Sequence, residues 1–306
     1  MAKLLQTLFD GVAVGSLYAL IALGYTMVYG ILQFINFAHS DIFMTGAWIA
    51  FVIAKAAGWA GGDTPIWASL VTLLGSMIFC GLLGFVIERL AYRPLRGAPR
   101  LNVLITAIGV SLFLENTGQL EVLFGTQPQR MPTLLSSEPL FRIGGVGLPL
   151  VDVVVVLVAV GLMLLLQWLV FSTRLGRAMR AVSFSIPVAS LMGVNVDRVV
   201  SFTFVVGSAL AAAAGFLYAM KYPGLNQPAH STWILLGLKC FVAAVVGGIG
   251  NVRGAMLGGL LIGCVEMFGA AYLSTSLRDV YVFSILILVL LFKPTGLLGK
   301  ATVEKV

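Results

Sequence analysis

Apolar runs of about twenty residues recur along this chain, near 9–31, 35–57, 65–88, 101–122, 149–172, 199–220, 232–249, 254–273 and 278–292. A helix crossing a bilayer needs about 20 mostly apolar residues at a rise of ~1.5 Å each. The 306 residues are 59% hydrophobic and only 10% charged, with a mean hydropathy of +1.03. Soluble domains sit nearer ~45–50% and ~25%, and a soluble fold this apolar would expose large aggregating patches. The chain is therefore predicted to be an all-α, polytopic transmembrane helical bundle of about eight or nine spans, forming one membrane domain over 1–306. Polar residues interrupt the second, fourth and seventh runs, which are expected to be broken or re-entrant.

The net charge of +7 is gathered in short gaps between runs. Arg89, Arg93, Arg96 and Arg100 follow the third run. Arg174, Arg177, Arg180 and Arg198 follow the fifth, and Lys293, Lys300 and Lys305 follow the last. If each run crosses once, all three clusters lie on one side, which the positive-inside bias makes cytoplasmic. The C-terminus is then cytoplasmic, and the N-terminus and the 125–148 loop face outward. This grouping is not the footprint of a nucleic-acid binder. The first run is too long for a signal-peptide core and is read as a retained span. Cys80, Cys240 and Cys264 lie inside apolar runs and read as small hydrophobes, not disulfides or metal ligands.

Two windows echo each other. Val14-Gly15-Ser16 opens a run ending in Asn36-Phe37-Ala38-His39-Ser40, and Val206-Gly207-Ser208 opens one ending in Asn226-Gln227-Pro228-Ala229-His230-Ser231. Five spans separate them, so they would enter the membrane from opposite faces. That is an inverted-repeat pattern, with halves about 9–124 and 199–292, in which broken helices meet near the midplane. Asn36, His39, Ser40 and Asp41, with Asn226 and His230, are the candidate substrate-path residues, because backbone freed at depth needs protein or a wet cavity beside it. The competing reading makes Ser40 or Asp41 an ordinary helix N-cap.

Several chemistries are excluded or weakened. No Gly-x-x-x-x-Gly-Lys sequence followed by Ser or Thr occurs, so this chain has no P-loop for ATP. Gly248–Gly254 reads as a turn between two helices, and Gly254, Gly258, Gly259 and Gly263 as a small-residue packing stripe. Glu115 and Glu266 are deep acids that are either structural or the sites of an ion-coupled carrier. The two histidines and scattered acids offer neither metal-ligand spacing nor a catalytic constellation. The segment 173–198 is too polar to span, and Pro187 and Gly193 interrupt its helix-forming stretches. It is either an interfacial helix with snorkelling arginines or a docking surface for a soluble partner.

The run Gly176–Arg198 resembles the coupling loop of ABC-importer permeases for branched-chain amino acids, the LivH type. Ile35-Asn36-Phe37-Ala38-His39, Ala91-Tyr92-Arg93-Pro94, Gly247-Gly248-Ile249-Gly250 and Pro294-Thr295-Gly296-Leu297-Leu298-Gly299 are similar to the same family. Ser40 stands where the family usually has Gly, and Ser183–Val188 where it usually has acids or amides. The resemblance implies a transmembrane subunit, not an enzyme, in a multi-pass bacterial inner-membrane importer. Its expected partners are a second related permease, two cytoplasmic ATPase subunits that bind the ATP and magnesium, and a periplasmic binding protein. No cofactor is expected in this chain. Gly176, Arg177, Arg180, Leu191, Gly193, Asp197 and Arg198 would then transmit ATPase closure. Importers of urea and short amides share much of the pattern.

Overall fold

A computed structural model describes residues 2–59, 64–135, 139–143 and 146–299. Every apolar run becomes one helix. The order is α1 (Ala2–Leu32), α2 (His39–Ala56), α3 (Ile66–Ile87), α4 (Arg100–Gly118), α5 (Leu150–Ser172), α6 (Arg174–Phe184), α7 (Ile186–Leu191), α8 (Val196–Lys221), α9 (Ser231–Gly247), α10 (Val252–Tyr272) and α11 (Arg278–Phe292). Among the described residues seven helices, α1, α3, α4, α5, α8, α10 and α11, are long and apolar enough to cross a membrane. The shorter α2 and α9 are the second and seventh runs. The fourth run is not broken as expected: α4 continues through Glu115 and Asn116, whose amide donates to the Leu112 carbonyl one turn back. Lys300 and Lys305 of the basic tail lie outside the described residues, as does the side chain of Arg100.

α1 is the axis of the bundle. Every residue from Ala13 to Val28 is buried, as expected for a helix that is apolar all round. It packs most extensively along α10, while α8 packs along α3. The α1–α10 contact is backbone to backbone. A Cβ on Gly15 would sit 2.8 Å from Leu260 Cα, and one on Gly263 or Gly259 would overlap the backbone of Gly15 or Ala19. Gly254 and Gly258 play the same part toward Gly247 and Ala243 of α9. In hydrocarbon, where lipid competes for every apolar face, such close approach supplies the packing that holds helices together.

Short pieces close the two ends. On one side, strands β1 (Gln129–Arg130), β2 (Pro139–Ile143), β3 (Val146–Pro149) and β4 (Gly224–Leu225) form two antiparallel pairs, β2 with β3 and β1 with β4. The second pair ties the α4–α5 connection to the α8–α9 connection. On the other side, the segment after α11 folds over the α9–α10 turn. The Leu297 and Leu298 amides donate to the Val246 and Gly247 carbonyls, and Asn251 Nδ2 donates to the Leu298 carbonyl at 2.7 Å.

The close α1–α10 contact yields a stability test. Overpacking a tight interior costs ~1–3 kcal/mol, which lowers a melting midpoint by ~2–4 °C or more at this size. Gly263→Val should show that drop in the detergent-purified protein, whereas Gly109→Val, where a Cβ meets nothing within 4 Å, should not. Equal midpoints for the two variants would refute the contact.

Candidate functional site

Six residues, Gln33 to Ala38, separate α1 from α2, and Gln33 adopts a left-handed φ of 57°. The break lies inside the bundle. The His39 ring, at the first position of α2, sits where a Cβ on Gly24 would be, with the Gly207 carbonyl beside it. Gly24 precedes the end of α1 by eight residues, about 12 Å along the helix axis. α2 therefore starts well within the span of α1. The freed polar groups find protein partners, as they must at that depth. Tyr92 Oη donates to Asn36 Oδ1 at 2.6 Å, and Ser40 Oγ donates to the Phe37 carbonyl at 3.0 Å.

These contacts rule out the simple cap. Ala38 precedes α2 without a side-chain capping bond, and Ser40 and Asp41 already lie within the helix. Asp41 Oδ2 accepts from Ser111 Oγ of α4 at 2.5 Å, Glu115 approaches Asp41 from the next turn of α4, and Asp41 Oδ1 has no partner. Next to them is a cavity of about 260 Å³ between α2, α4 and α9, lined by Tyr25, Phe37, Ser40, Ser111, Glu115 and Phe241 among others. Of the four residues expected at the head of α2, Ser40 reaches this cavity. Asn36 is held by Tyr92. His39 is packed between α1 and α8, edge-on to Tyr25 at a ring separation of 4.7 Å.

The corresponding residues of the other half do something different. His230 is the N-cap of α9, with Nδ1 accepting from the Thr232 amide at 3.2 Å, and Asn226 Nδ2 donates to Thr232 Oγ1 at 3.3 Å. Neither lines the cavity beside Ser40. The part of α9 that approaches this site lies further along: a Cβ on Gly237 would overlap that of Ser40.

The 173–198 segment is ordered by three successive side-chain caps. Thr173, Ser185 and Asn195 accept from the backbone amides of Gly176, Val188 and Arg198, and so start α6, α7 and α8. Pro187 therefore sits in the first turn of α7, where proline is tolerated, and the interruption is at Ser185. Gly193 takes a φ of 81° in the α7–α8 turn, the left-handed region that favours glycine. Met179, Val182 and Ala189 face inward, while Phe184, Leu191 and Met192 stand 89%, 87% and 79% exposed beside the exposed Arg177 and Arg198. Arg180 reaches back to the Val170 carbonyl.

Just beyond that segment, Asp197 pairs with both Arg93 and Arg96. Arg96 also pairs with the fully buried Glu88, which accepts from Ser201 Oγ at 2.6 Å. Glu88–Tyr92 form a π-helical turn at the end of α3, a local widening common at functional places. Tyr92 is its last residue, so one turn carries both the ion network and the hydrogen bond to the α2 break. The sequence marked Arg96 only as a topological charge, and Arg93 as one that also falls in a family motif.

Glu266 is not free. It accepts from Lys239 Nζ at 2.9 Å and from Tyr18 Oη at 2.7 Å, and Lys239 also meets Asp279 at 2.7 Å. Lys239 was missed, although a lone lysine within the seventh apolar run was the available signal. Among the described residues no group of three or more His, Cys, Asp or Glu side chains could hold a metal ion.

Known proteins match this sequence along nearly its whole length. The family described as "Branched-chain amino acid transport system / permease component" matches residues 7–292. The high-affinity branched-chain amino acid transport system permease protein BraD of Pseudomonas aeruginosa is 44% identical over 305 residues, covering 99% of this chain and 98% of that one. The corresponding LivH proteins of Salmonella typhimurium and Escherichia coli K12 are each 43% identical over 307 residues, covering 99% of this chain and 97% of theirs. The matched region takes in the α2 break, the arginine-rich segment and the tail clasp alike, and on that full-length match the chain belongs to the family of branched-chain amino acid transport system permease components.

Proposed function

We propose that this chain is the membrane subunit of an ATP-driven importer carrying a branched-chain or closely related aliphatic amino acid across a bacterial inner membrane, with its C-terminus cytoplasmic. The observation that carries the reading is the near-complete, two-way coverage by relatives named as permeases of high-affinity branched-chain amino acid transport systems. A second related permease completes the pore, two ATPase subunits bind ATP and magnesium, and a periplasmic binding protein delivers the solute. This chain needs no cofactor.

In this reading α6, α7 and the turn at Gly193 form the ATPase contact. The exposed Phe184, Leu191 and Met192 support it, since large apolar side chains clustered on a polar segment mark an interaction surface. Asp197, Arg93, Arg96 and the Glu88–Tyr92 turn lie between that contact and Asn36. The solute passes the open cavity of Ser40, Ser111 and Glu115, on the face where Ile108 and Leu112 of α4 are exposed. The two halves act as an inverted repeat, which the exchange of partners supports: the first helix of each half packs on the third of the other. An ion-coupled carrier is the weaker reading, because Glu266 is already committed to Lys239 and Tyr18.

Co-purification from native membranes in mild detergent should yield the second permease and the ATPases. Concentrative uptake by this chain alone, driven by an ion gradient, would overturn the proposal. In the reconstituted complex Gly193→Asp should preserve ATP hydrolysis but lower import at least ~tenfold, the scale of a ~1.4 kcal/mol loss of docking. An unchanged ratio of import to hydrolysis would remove the loop from transmission. Ser40→Phe, which fills the cavity, should block uptake in an assembled complex while Ser40→Gly retains it. Wild-type uptake in Ser40→Phe would place the solute route elsewhere.

A further inference from the structure

A groove of about 520 Å³ lies between the end of α3 and the start of α8, on the arginine-rich side of the protein. Its charges do not balance. Asp197 is shared by Arg93 and Arg96, and Arg96 also takes Glu88, so these two acids are already matched by two arginines. Arg89 and Arg198 line the same groove, and among the described residues neither forms an ion pair. Both are exposed. Arg89 lies over the Phe85 ring at 5.9 Å, and Arg198 serves the Asn195 cap through its backbone amide, which leaves its guanidinium free. Two uncompensated positive charges therefore stand over one groove, one from each helix.

The surface next to them is apolar. Ile78, Leu82 and Phe85 are exposed and repeat at i, i+4 and i+7, which puts them on one face of α3, in line with Arg89. On α8, Phe202 and Val205 follow Arg198 at the same spacing and are half-buried in the groove. The floor is the contact between the two helices. A Cβ on Gly81 would lie 3.5 Å from Val205 Cγ1, and one on Gly84 would overlap Ser208 Oγ. Both helices are long and apolar enough to cross a membrane, so the strip lies in hydrocarbon and the arginines stand at its edge.

We propose that this groove binds one anionic phospholipid from the leaflet on the arginine-rich side. The headgroup phosphate takes Arg89 and Arg198, whose planar forks suit phosphate oxygens, and an acyl chain lies along Ile78, Leu82 and Phe85. A soluble phosphate meets the charge but leaves the apolar strip uncovered. A zwitterionic lipid brings a cation of its own beside two arginines, so the charge favours an anionic headgroup. Arg93 belongs both to the groove and to the ion network that leads through Tyr92 to Asn36. The bound headgroup thus borders the joint between α3, α8 and the α2 break. The site is independent of which solute the protein carries.

The test uses the detergent-purified complex, delipidated and then exposed to mixed micelles of dioleoyl phosphatidylglycerol and dioleoyl phosphatidylcholine, with retained lipid counted by native mass spectrometry. The wild type should retain phosphatidylglycerol in preference to phosphatidylcholine. Arg89→Gln and Arg198→Gln should each weaken that retention ~fivefold, the scale of one basic residue's attraction to an anionic lipid. Arg174→Gln, an exposed arginine on the same side but outside the groove, should retain the lipid as the wild type does. Glycerol 1-phosphate, which has the phosphate and no chains, should displace the lipid at least ~tenfold less well than phosphatidylglycerol does. Wild-type retention in both groove variants, or an equal loss in Arg174→Gln, would overturn the site. The lipid preference of the wild type tests it even if a variant fails to assemble, and equal retention of the two lipids would overturn it. Displacement by glycerol 1-phosphate as effective as by phosphatidylglycerol would make this a soluble-phosphate site and overturn the lipid. A groove covered by another subunit of the complex would retain no phosphatidylglycerol that depends on Arg89 or Arg198, and that result would overturn the proposal too.

Discussion

The backbone contact of α1 with its neighbours is the constraint on which the other features depend. Side chains are missing at Gly15, Gly259 and Gly263, so α1 and α10 meet backbone to backbone, and α1 becomes the buried axis. The same device works at Gly24 and Gly207, where α1 passes α8 and leaves a slot. A Cβ on Gly207 would lie 3.6 Å from Gly24 Cα, and the His39 ring fills the space beside Gly24. That slot allows α2 to begin at depth. Without it, the six-residue break would have to move to the membrane surface, and the cavity beside Ser40 would move with it.

Paired charge is arranged in three systems, one at the start of α8 and two towards its other end, where Lys221 also meets Asp152 of α5 at 2.5 Å. Asp197, Arg93, Arg96 and Glu88 join the start of α8 to the end of α3. Lys239, Glu266 and Asp279 join α9, α10 and α11. Removing one member of a buried pair costs ~3–5 kcal/mol because the other is stranded, although a buried pair adds little net stability over an apolar replacement. Such pairs therefore fix which helix faces which. In a bundle whose surfaces are mostly interchangeable hydrocarbon, that specification is scarce.

The sequence announced much of this, and it failed where contacts are long-range. All nine apolar runs are helices, because about twenty apolar residues in a row have few alternatives. The break before α2 was legible from Asn36, His39 and Asp41, since polar residues there are costly without partners. The same logic misread the fourth run. Glu115 and Asn116 look like an interruption, but Glu115 turns to Asp41 on another helix and Asn116 bonds to its own. The His39–His230 likeness did not carry a shared role, because one ring is packed in a slot and the other caps a helix. Arg96, Lys239 and Tyr92 were invisible as linking residues because their partners lie 8 to 101, 27 to 40 and 56 residues away in sequence.

The segment folded over the α9–α10 turn has a consequence for biogenesis. The amides of Leu297 and Leu298 satisfy carbonyls of Val246 and Gly247, about fifty residues upstream. A ribosome therefore exposes the upstream turn well before it has made the strip that closes it. During that interval the carbonyls at the end of α9 depend on water or lipid headgroups, while glycine contacts and the Lys239–Glu266 pair hold α9 to α10. The final latch comes from the last part of the clasp to leave the exit tunnel, so any stall before Leu297 leaves a bundle that is inserted but unsealed.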